Sequence, residues 1–327
     1  MTTVFLTGAS GFLGGHLLHE LRTADCAVKA LSRRAGSDAA IIAAGAVPVR
    51  AELADRASLQ AAVRGCAAVF HAAADTSMWR PQAAAQTATN VQGTENLLRA
   101  TEAAGVPAFA HSSSVSAWSH LVRGVIDESV PQRGGESWIN YECTKFLAEQ
   151  AVRHARVPWI VFNPSHILGP GDRHNWARLI MLVDREKLPG IPPGIGAFAD
   201  VREIARAQVR AWQRQRFGQA YLLGGEQASF VDFVHRVGAA LGKRTPRYAT
   251  PAFALMAFAR LADAWSRISG KQPDITPEAA TLTCHELRVD SSKARRELDY
   301  VETPLDTLLA DTLDWMRREG MVGRAAG

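Results

Sequence analysis

The chain of 327 residues is 47% hydrophobic and 21% charged, enough apolar material for a large buried core, which excludes a disordered protein. Lys and Arg outnumber Asp and Glu by 37 to 32, and the net charge of +5 reads as scattered, which argues against a nucleic-acid face. Cys26, Cys66, Cys143 and Cys284 lie far apart without a Cys-x-x-Cys pair, so neither a disulfide framework nor a zinc site is indicated and a cytoplasmic location is expected.

In chain order, β-type runs at 4–6, 27–31, 47–50, 67–71, 108–112 and 159–163 alternate with helical patterns. The first of these, Val4-Phe5-Leu6, follows Met-Thr-Thr and reads as a strand, not as a signal peptide. Strand-helix-strand repeats at this spacing need crossover connections, which predicts an α/β fold with a doubly wound parallel sheet covered on both faces. After about residue 164 Gly and Pro become dense and the alternation stops, so 1–163 is expected to be a dinucleotide-binding domain. Residues 164–196 and 226–327 are expected to form mainly a smaller, interleaved substrate lobe with a closing helix at 305–319, the chain returning to the first domain near 197–225. Arg202, Arg206, Arg210 and Arg214 recur every fourth residue and predict a basic stripe on a helix, read as a solvated face. No run approaches the ~20 apolar residues that span a bilayer.

The first chemical signal is Thr7-Gly8-Ala9-Ser10-Gly11-Phe12-Leu13-Gly14, directly after the first strand and opening the first helix. Glycines at 8, 11 and 14 permit a tight turn, close backbone approach to a pyrophosphate and close helix-sheet packing, while the helix start offers free N–H donors, so a dinucleotide is expected there. At the end of the second strand, where an NAD site usually carries a carboxylate for the ribose 2′-hydroxyl, stand Ser32-Arg33-Arg34. A guanidinium can fork onto the 2′-phosphate of NADP, so NADP is favoured over NAD, with surface arginines as the alternative reading. Ala72 and Ala73, in His71-Ala72-Ala73-Ala74, are small enough to let a cofactor lie against the backbone.

The decisive constellation is Tyr141-Glu142-Cys143-Thr144-Lys145, preceded by Ser112-Ser113-Ser114 at the end of the fifth strand. Residues four apart share a helical face, so the Tyr141 hydroxyl and Lys145 ammonium are expected to converge. A nearby cation would bring a phenol of pKa about 10 closer to working range, and a serine hydroxyl would hold the substrate oxygen. No His-Glu-x-x-His cluster suggests a metal, and no Gly-x-Ser-x-Gly elbow suggests a hydrolase.

Together the glycine turn and the Ser, Tyr, Lys set resemble the extended short-chain dehydrogenase/reductases, the NAD-dependent epimerase/dehydratase superfamily, over nearly the whole chain. Residues 90–98 look like that family's central helix, and residues 163–172, Asn163-Pro164-Ser165-His166-Ile167-Leu168-Gly169-Pro170-Gly171-Asp172, look like its nicotinamide-side loop. Residues 71–75 with Trp79, 221–226 and 290–298 resemble the dihydroflavonol-reductase-like group, including hopanoid-associated epimerase-like proteins. The resemblance implies Ser114 as the catalytic serine, with Ser113 as fallback, and implies adenine contacts from Glu52 and Leu53. It places Pro164 and His166 beside the nicotinamide and gives Lys145 a hydrogen bond to its ribose. Residues 196–201, Gly196-Ala197-Phe198-Ala199-Asp200-Val201, depart from the His-Val-Asp-Asp type sequence common in relatives.

The expected function is therefore an NADP(H)-dependent oxidoreductase interconverting a carbonyl and an alcohol on a small lipophilic substrate. The alternative is a nucleotide-sugar epimerase or dehydratase with bound NAD(P), for which Arg173, Arg178, Arg247 and Arg267 are available to a pyrophosphate. A redox sensor without turnover is disfavoured by the intact Ser114, Tyr141 and Lys145. Phe253, Leu255, Met256, Phe258, Leu261 and Trp265 crowd one predicted helix and are expected either to wall a lipophilic site or to pack the lobe's own core. Trp79, Trp118 and Trp138 flank the catalytic segments. A small-molecule substrate is the only partner indicated, with no nucleic acid and no membrane span, and a homodimer stays open.

Overall fold

The computed structural model describes residues 1–323. Its first half runs β1 (Thr2–Thr7), α1 (Phe12–Thr23), β2 (Cys26–Ser32), α2 (Ala35–Ala43), β3 (Val47–Arg50), α3 (Arg56–Val63), β4 (Ala68–His71), α4 (Ala83–Thr87), α5 (Gly93–Ala103), β5 (Phe109–Ser112), β6 (Val125–Ile126), α6 (Asn140–Arg153) and β7 (Trp159–Pro164). It continues with β8 (His166–Leu168), α7 (Trp176–Asp184), β9 (Ile195–Asp200), α8 (Val201–Gln213), β10 (Gln219–Leu223), β11 (Glu226–Ser229), α9 (Phe230–Leu241), α10 (Ala252–Ser269), α11 (Pro277–Thr283), β12 (Arg288–Val289), α12 (Ser292–Leu298) and α13 (Leu305–Arg318).

Seven strands form one parallel sheet in the order β10-β7-β5-β4-β1-β2-β3. The order reverses between β1 and β4, and the crevice outside the carboxyl ends of the strands at such a switch point is where open α/β sheets bind ligands. Because helices cover both faces, strand residues are buried whichever way they point. Val4, Leu6, Phe70 and Phe162 pack with Leu17 and Leu21 of α1 on one side, while Phe5, Val69, Phe109 and Val161 pack with Leu59 of α3 and Leu97 of α5 on the other. Asp55 starts α3 by accepting from the Ala57 and Ser58 amides, and Asp200 starts α8 by accepting from the Arg202 amide, each filling an orphan donor of the first turn.

A second core joins α7, α9 and α13 through Ile180, Val183, Phe230, Phe233, Val234, Leu305, Leu309 and Leu313. Between the two cores lie a three-stranded sheet, β11-β9-β8, and a two-stranded one, β12-β6. The arginine stripe on α8 is not a free solvated face. Arg202 pairs with Asp200 and Asp311, Arg206 with Glu20 and Glu203, and Arg214 with Asp299, while Arg210 donates to the Leu298 and Asp299 carbonyls. These contacts join α8 to α1, to α13 and to the end of α12.

The apolar residues of α10 correct a second expectation. Only Ala259, Asp263 and Ser266 are buried on this 18-residue helix, whereas Phe253, Phe258, Leu261 and Trp265 face outward. They neither pack the lobe's core nor, apart from Phe253 and Met256, line a cavity. The helix touches the body through its small and polar side, chiefly against α11.

Candidate active site

The glycine turn lies at the carboxyl end of β1, facing the switch point. Gly8 has φ +77°, and a Cβ there would stand 2.8 Å from the backbone of Ala72 and Ala73. At Gly14 a Cβ would sit 1.9 Å from the Gly8 carbonyl oxygen, and the Gly11 amide donates to that same carbonyl at 2.8 Å. The turn is thus folded tightly on itself and against the end of β4. Gly11 caps α1 without a side-chain hydrogen bond, so Ser10 and the first-turn amides of Phe12 and Leu13 front the crevice with no side-chain acceptor competing for them.

A buried relay fixes the opposing wall. Thr94 Oγ1 donates to the Asn90 carbonyl at 2.7 Å, which leaves it to accept from His71 Nε2 at 2.9 Å. Nδ1 of His71 then accepts from Thr7 Oγ1 at 2.7 Å, and Thr7 Oγ1 accepts from the Ala73 amide at 3.2 Å. Burial and the Lys145 charge hold His71 down at about 3, consistent with this neutral tautomer. Ala72 and Ala73 are therefore held against Gly8 by hydrogen bonds as well as by size.

The remaining cofactor candidates spread along the crevice. Arg33 and Arg34 are exposed at the end of β2 and enter no ion pair among the described residues. Nearby, Ser32 Oγ donates to Asp38 at 2.6 Å, and Asp38 also pairs with Arg50, so the local carboxylate is already engaged. Glu52 is exposed, and Leu53 lies over Gly93, where a Cβ would stand 3.1 Å from the Leu53 Cβ. Pro164 ends β7, paired in register with Leu223 of β10. The His166 ring packs 5.0 Å from Trp176, 5.8 Å from Phe198 and 5.9 Å from Phe230, and burial lowers it to about 4. A Cβ on Gly196 would stand 2.6 Å from His166 Nδ1, so the altered segment 196–201 makes room for this ring. This places the His166 ring in the aromatic cluster around Trp176, Phe198 and Phe230.

Ser114 follows β5, and Tyr141 and Lys145 lie on successive turns of α6. Burial pushes the Tyr141 phenol above its ordinary value, the nearby Ser114 hydroxyl pulls it down, and the Asp75 charge pushes it up. Serine and phenol are thus neighbours. Lys145 Nζ donates to the Ser112 carbonyl at 3.1 Å. Burial lowers Lys145 to about 8, with Glu149 opposing. Ser113 is engaged elsewhere, its Oγ donating to Glu149 at 2.6 Å, which leaves Ser114 beside the phenol.

Three positioning groups escaped the sequence reading. Glu149 is fully buried and accepts from Ser113, Asn163 Nδ2 at 2.6 Å, Gln132 Nε2 at 2.7 Å and Arg153, locking α6 to β5 and β7. Glu142 is equally buried. Burial alone would raise its carboxyl, but hydrogen bonds from His120, Ser119 and Ser137 outweigh this and hold it low. Ser119 adopts φ +70° to reach it at 2.6 Å, a left-handed conformation unusual for serine. Asn90 lies in a π-helical turn between α4 and α5; its side chain accepts from the Asp75 amide and donates to the Asp75 carbonyl and to Thr144. The available signal was spacing: 142, 145 and 149 share one helical face, and it carries charges where an apolar stripe is usual.

Next to these segments lies a cavity of about 560 Å³ lined by Arg80, Trp138, Met256, Arg260, Asp263 and Arg267, among others. Arg80 lies 5.2 Å from the Trp138 ring centre and pairs with Glu278. A smaller one, about 360 Å³, shares Met256 and Thr281 with it and reaches His120, Arg123 and His285. Of the arginines considered for a pyrophosphate, Arg173 pairs with Glu319, Arg178 with Asp274, and Arg247 stacks on Tyr248; only Arg267 lines the cavity. Trp118 is buried with Nε1 donating to the Val130 carbonyl at 2.7 Å.

Comparison with known proteins agrees with this geometry. The sequence profile of the NAD dependent epimerase/dehydratase family matches residues 4–224. A dihydroflavonol 4-reductase-like protein of Synechocystis sp. is 28% identical, covering 97% of this chain and 95% of its own. Sterol demethylase protein B of Methylococcus capsulatus is 29% identical over 98% of this chain and 100% of its own. Among solved structures, gox2253 superposes with a TM-score of 0.84 at 27% identity, covering 99% of this chain and 100% of that one.

Proposed function

The chain belongs to the NAD dependent epimerase/dehydratase family, and we propose that within it this protein is an NADP(H)-dependent reductase or alcohol dehydrogenase acting on a small lipophilic carbonyl or alcohol. The observation that carries the reading is the approach of Ser114 to Tyr141 beside the glycine cradle, with Lys145 anchored one turn away. Gly8, Ser10, Gly11, Phe12, Leu13 and Gly14 would hold the pyrophosphate, Glu52 and Leu53 the adenine, Ala72 and Ala73 the backbone wall, and Pro164 the nicotinamide side. Arg33 and Arg34, exposed and unpaired among the described residues, would take a 2′-phosphate, which is the basis for NADP over NAD.

When bound, the nicotinamide supplies or accepts the hydride. Tyr141 gives or takes the proton of the substrate oxygen, and Ser114 holds that oxygen within reach of the phenol. Lys145 would bond the nicotinamide ribose, and its charge would favour the phenolate. The Ser112 carbonyl keeps this amine in place, and the Glu149 charge favours its protonated form. Neutral His71, under the cofactor wall, adds no charge to the site. The names of the two relatives support the substrate class: one is a dihydroflavonol 4-reductase-like protein and the other a sterol demethylase protein.

A nucleotide-sugar epimerase or dehydratase is the second reading, favoured by one observation: Arg80, Arg260 and Arg267 line a single cavity that could hold a pyrophosphate. Purified protein mixed with NADPH and a panel of ketones, aldehydes and UDP- or GDP-sugars separates the two. Stoichiometric loss of NADPH absorbance with a ketone supports the reductase, with rates rising as carbon is added because each buried CH₂ contributes about 0.8 kcal/mol. Sugar interconversion without NADPH loss overturns it.

A further inference from the structure

α10 is amphipathic in the wrong sense for a helix of a closed domain. Its buried residues are Ala259, Asp263 and Ser266, while Phe253, Phe258, Leu261, Trp265 and Ile268 are 80%, 54%, 72%, 66% and 80% exposed. Positions 258, 261, 265 and 268 recur at intervals of three and four, so they form one continuous outward stripe, joined by Tyr248 just ahead of the helix. Exposed apolar surface gathered in this way marks a docking face.

Charge identifies the occupant. Residues 243–273 hold Lys243, Arg244, Arg247, Arg260, Arg267 and Lys271 against one acid, Asp263, so this segment carries the whole net charge of +5 and the remainder of the chain is balanced. The excess that reads as scattered is therefore concentrated around one helix. Asp263 is buried and paired with Arg267, which leaves no exposed carboxylate in the segment. An apolar stripe with Trp265 on it, in a cationic segment whose one acid is buried and whose next acid, Asp274, is paired with Arg178, matches the surface of an anionic phospholipid bilayer, where apolar side chains enter the headgroup boundary and cations meet lipid phosphates. Among the described residues no helix is long and apolar enough to cross a membrane, so the helix would lie on the surface.

We propose that α10 is a peripheral membrane-docking helix that seats the protein on anionic lipid. Met256, Arg260, Asp263, Ala264 and Arg267 of the same helix line the 560 Å³ cavity, so docking brings the rim of that cavity to the bilayer. Docking is independent of which substrate the site takes.

Flotation with vesicles of phosphatidylcholine, alone or with one-third phosphatidylglycerol, tests it. Wild-type protein is expected to float with the anionic vesicles and to be released by high salt. Each cation near the surface is worth about fivefold in partitioning, so Arg244→Glu with Arg247→Glu should lower it at least tenfold. Leu261→Glu with Trp265→Glu should do the same, with thermal stability unchanged because both side chains are already exposed. Failure of wild-type protein to bind anionic vesicles overturns the proposal. So does a self-associated wild type that the Leu261/Trp265 pair renders monomeric, since a second copy would then cover the face.

Discussion

Lys145 Nζ donates to the Ser112 carbonyl at 3.1 Å, which ties the second turn of α6 to the carboxyl end of β5. Burial lowers this lysine to about 8 from an ordinary 10.5, against the opposing charge of Glu149. Between these two pH values the unfolded chain keeps a proton that the folded chain has released, so Lys145 makes stability rise with pH across that window. The gap corresponds to roughly 3 kcal/mol. Urea unfolding of wild type and Lys145→Met at pH 7 and pH 10, without cofactor, should show the difference between them shifting toward wild type at the higher pH. A difference independent of pH would mean that the amine is not perturbed.

Gly8→Ala should weaken cofactor binding more than tenfold while leaving a folded chain. Its Cβ would meet the Ala72 and Ala73 backbone at 2.8 Å, and φ +77° is costly for alanine, so the wall facing the cofactor has to move. Fluorescence titration with NADPH measures the loss, expected to exceed tenfold, and circular dichroism reports the fold.

Arg33→Ala should remove most of a preference for NADPH over NADH. A charge-assisted fork to phosphate is worth roughly 1.5 to 3 kcal/mol, about ten- to over a hundredfold in affinity. Titration of both cofactors decides it; equal affinities in the wild type would remove the basis for NADP.

Glu149→Ala should destabilise the protein by roughly 3 to 5 kcal/mol, because it strips partners from Ser113, Asn163 and Arg153 at once. Glu149→Gln keeps an acceptor and should recover part of this. Chemical denaturation of the two variants gives the comparison.

The glycine turn, the serine run and the Tyr141/Lys145 pair could be read from sequence because each depends on local spacing: a turn following a strand, or one helical face. The parallel sheet followed from the alternation of strands and helices. Contacts between distant segments could not be read this way. His166 lies two residues beyond Pro164, yet its ring turns toward Trp176 and Phe198, since Gly196 on a strand 30 positions later leaves room for it. The stripe on α10 has a clear period, but periodicity gives the width of an apolar face and not the direction it points. On this helix the inward side carries Ala259, Asp263 and Ser266.

The account rests on the Tyr141 hydroxyl as the group that exchanges a proton with the substrate oxygen. The most direct measurement is single-substrate turnover of Tyr141→Phe with NADPH and the best ketone from the panel, alongside its NADPH dissociation constant. The ring stays and only the hydroxyl leaves, so cofactor affinity should match wild type while turnover falls about 10²- to 10⁴-fold. Turnover at the wild-type rate would contradict the assignment.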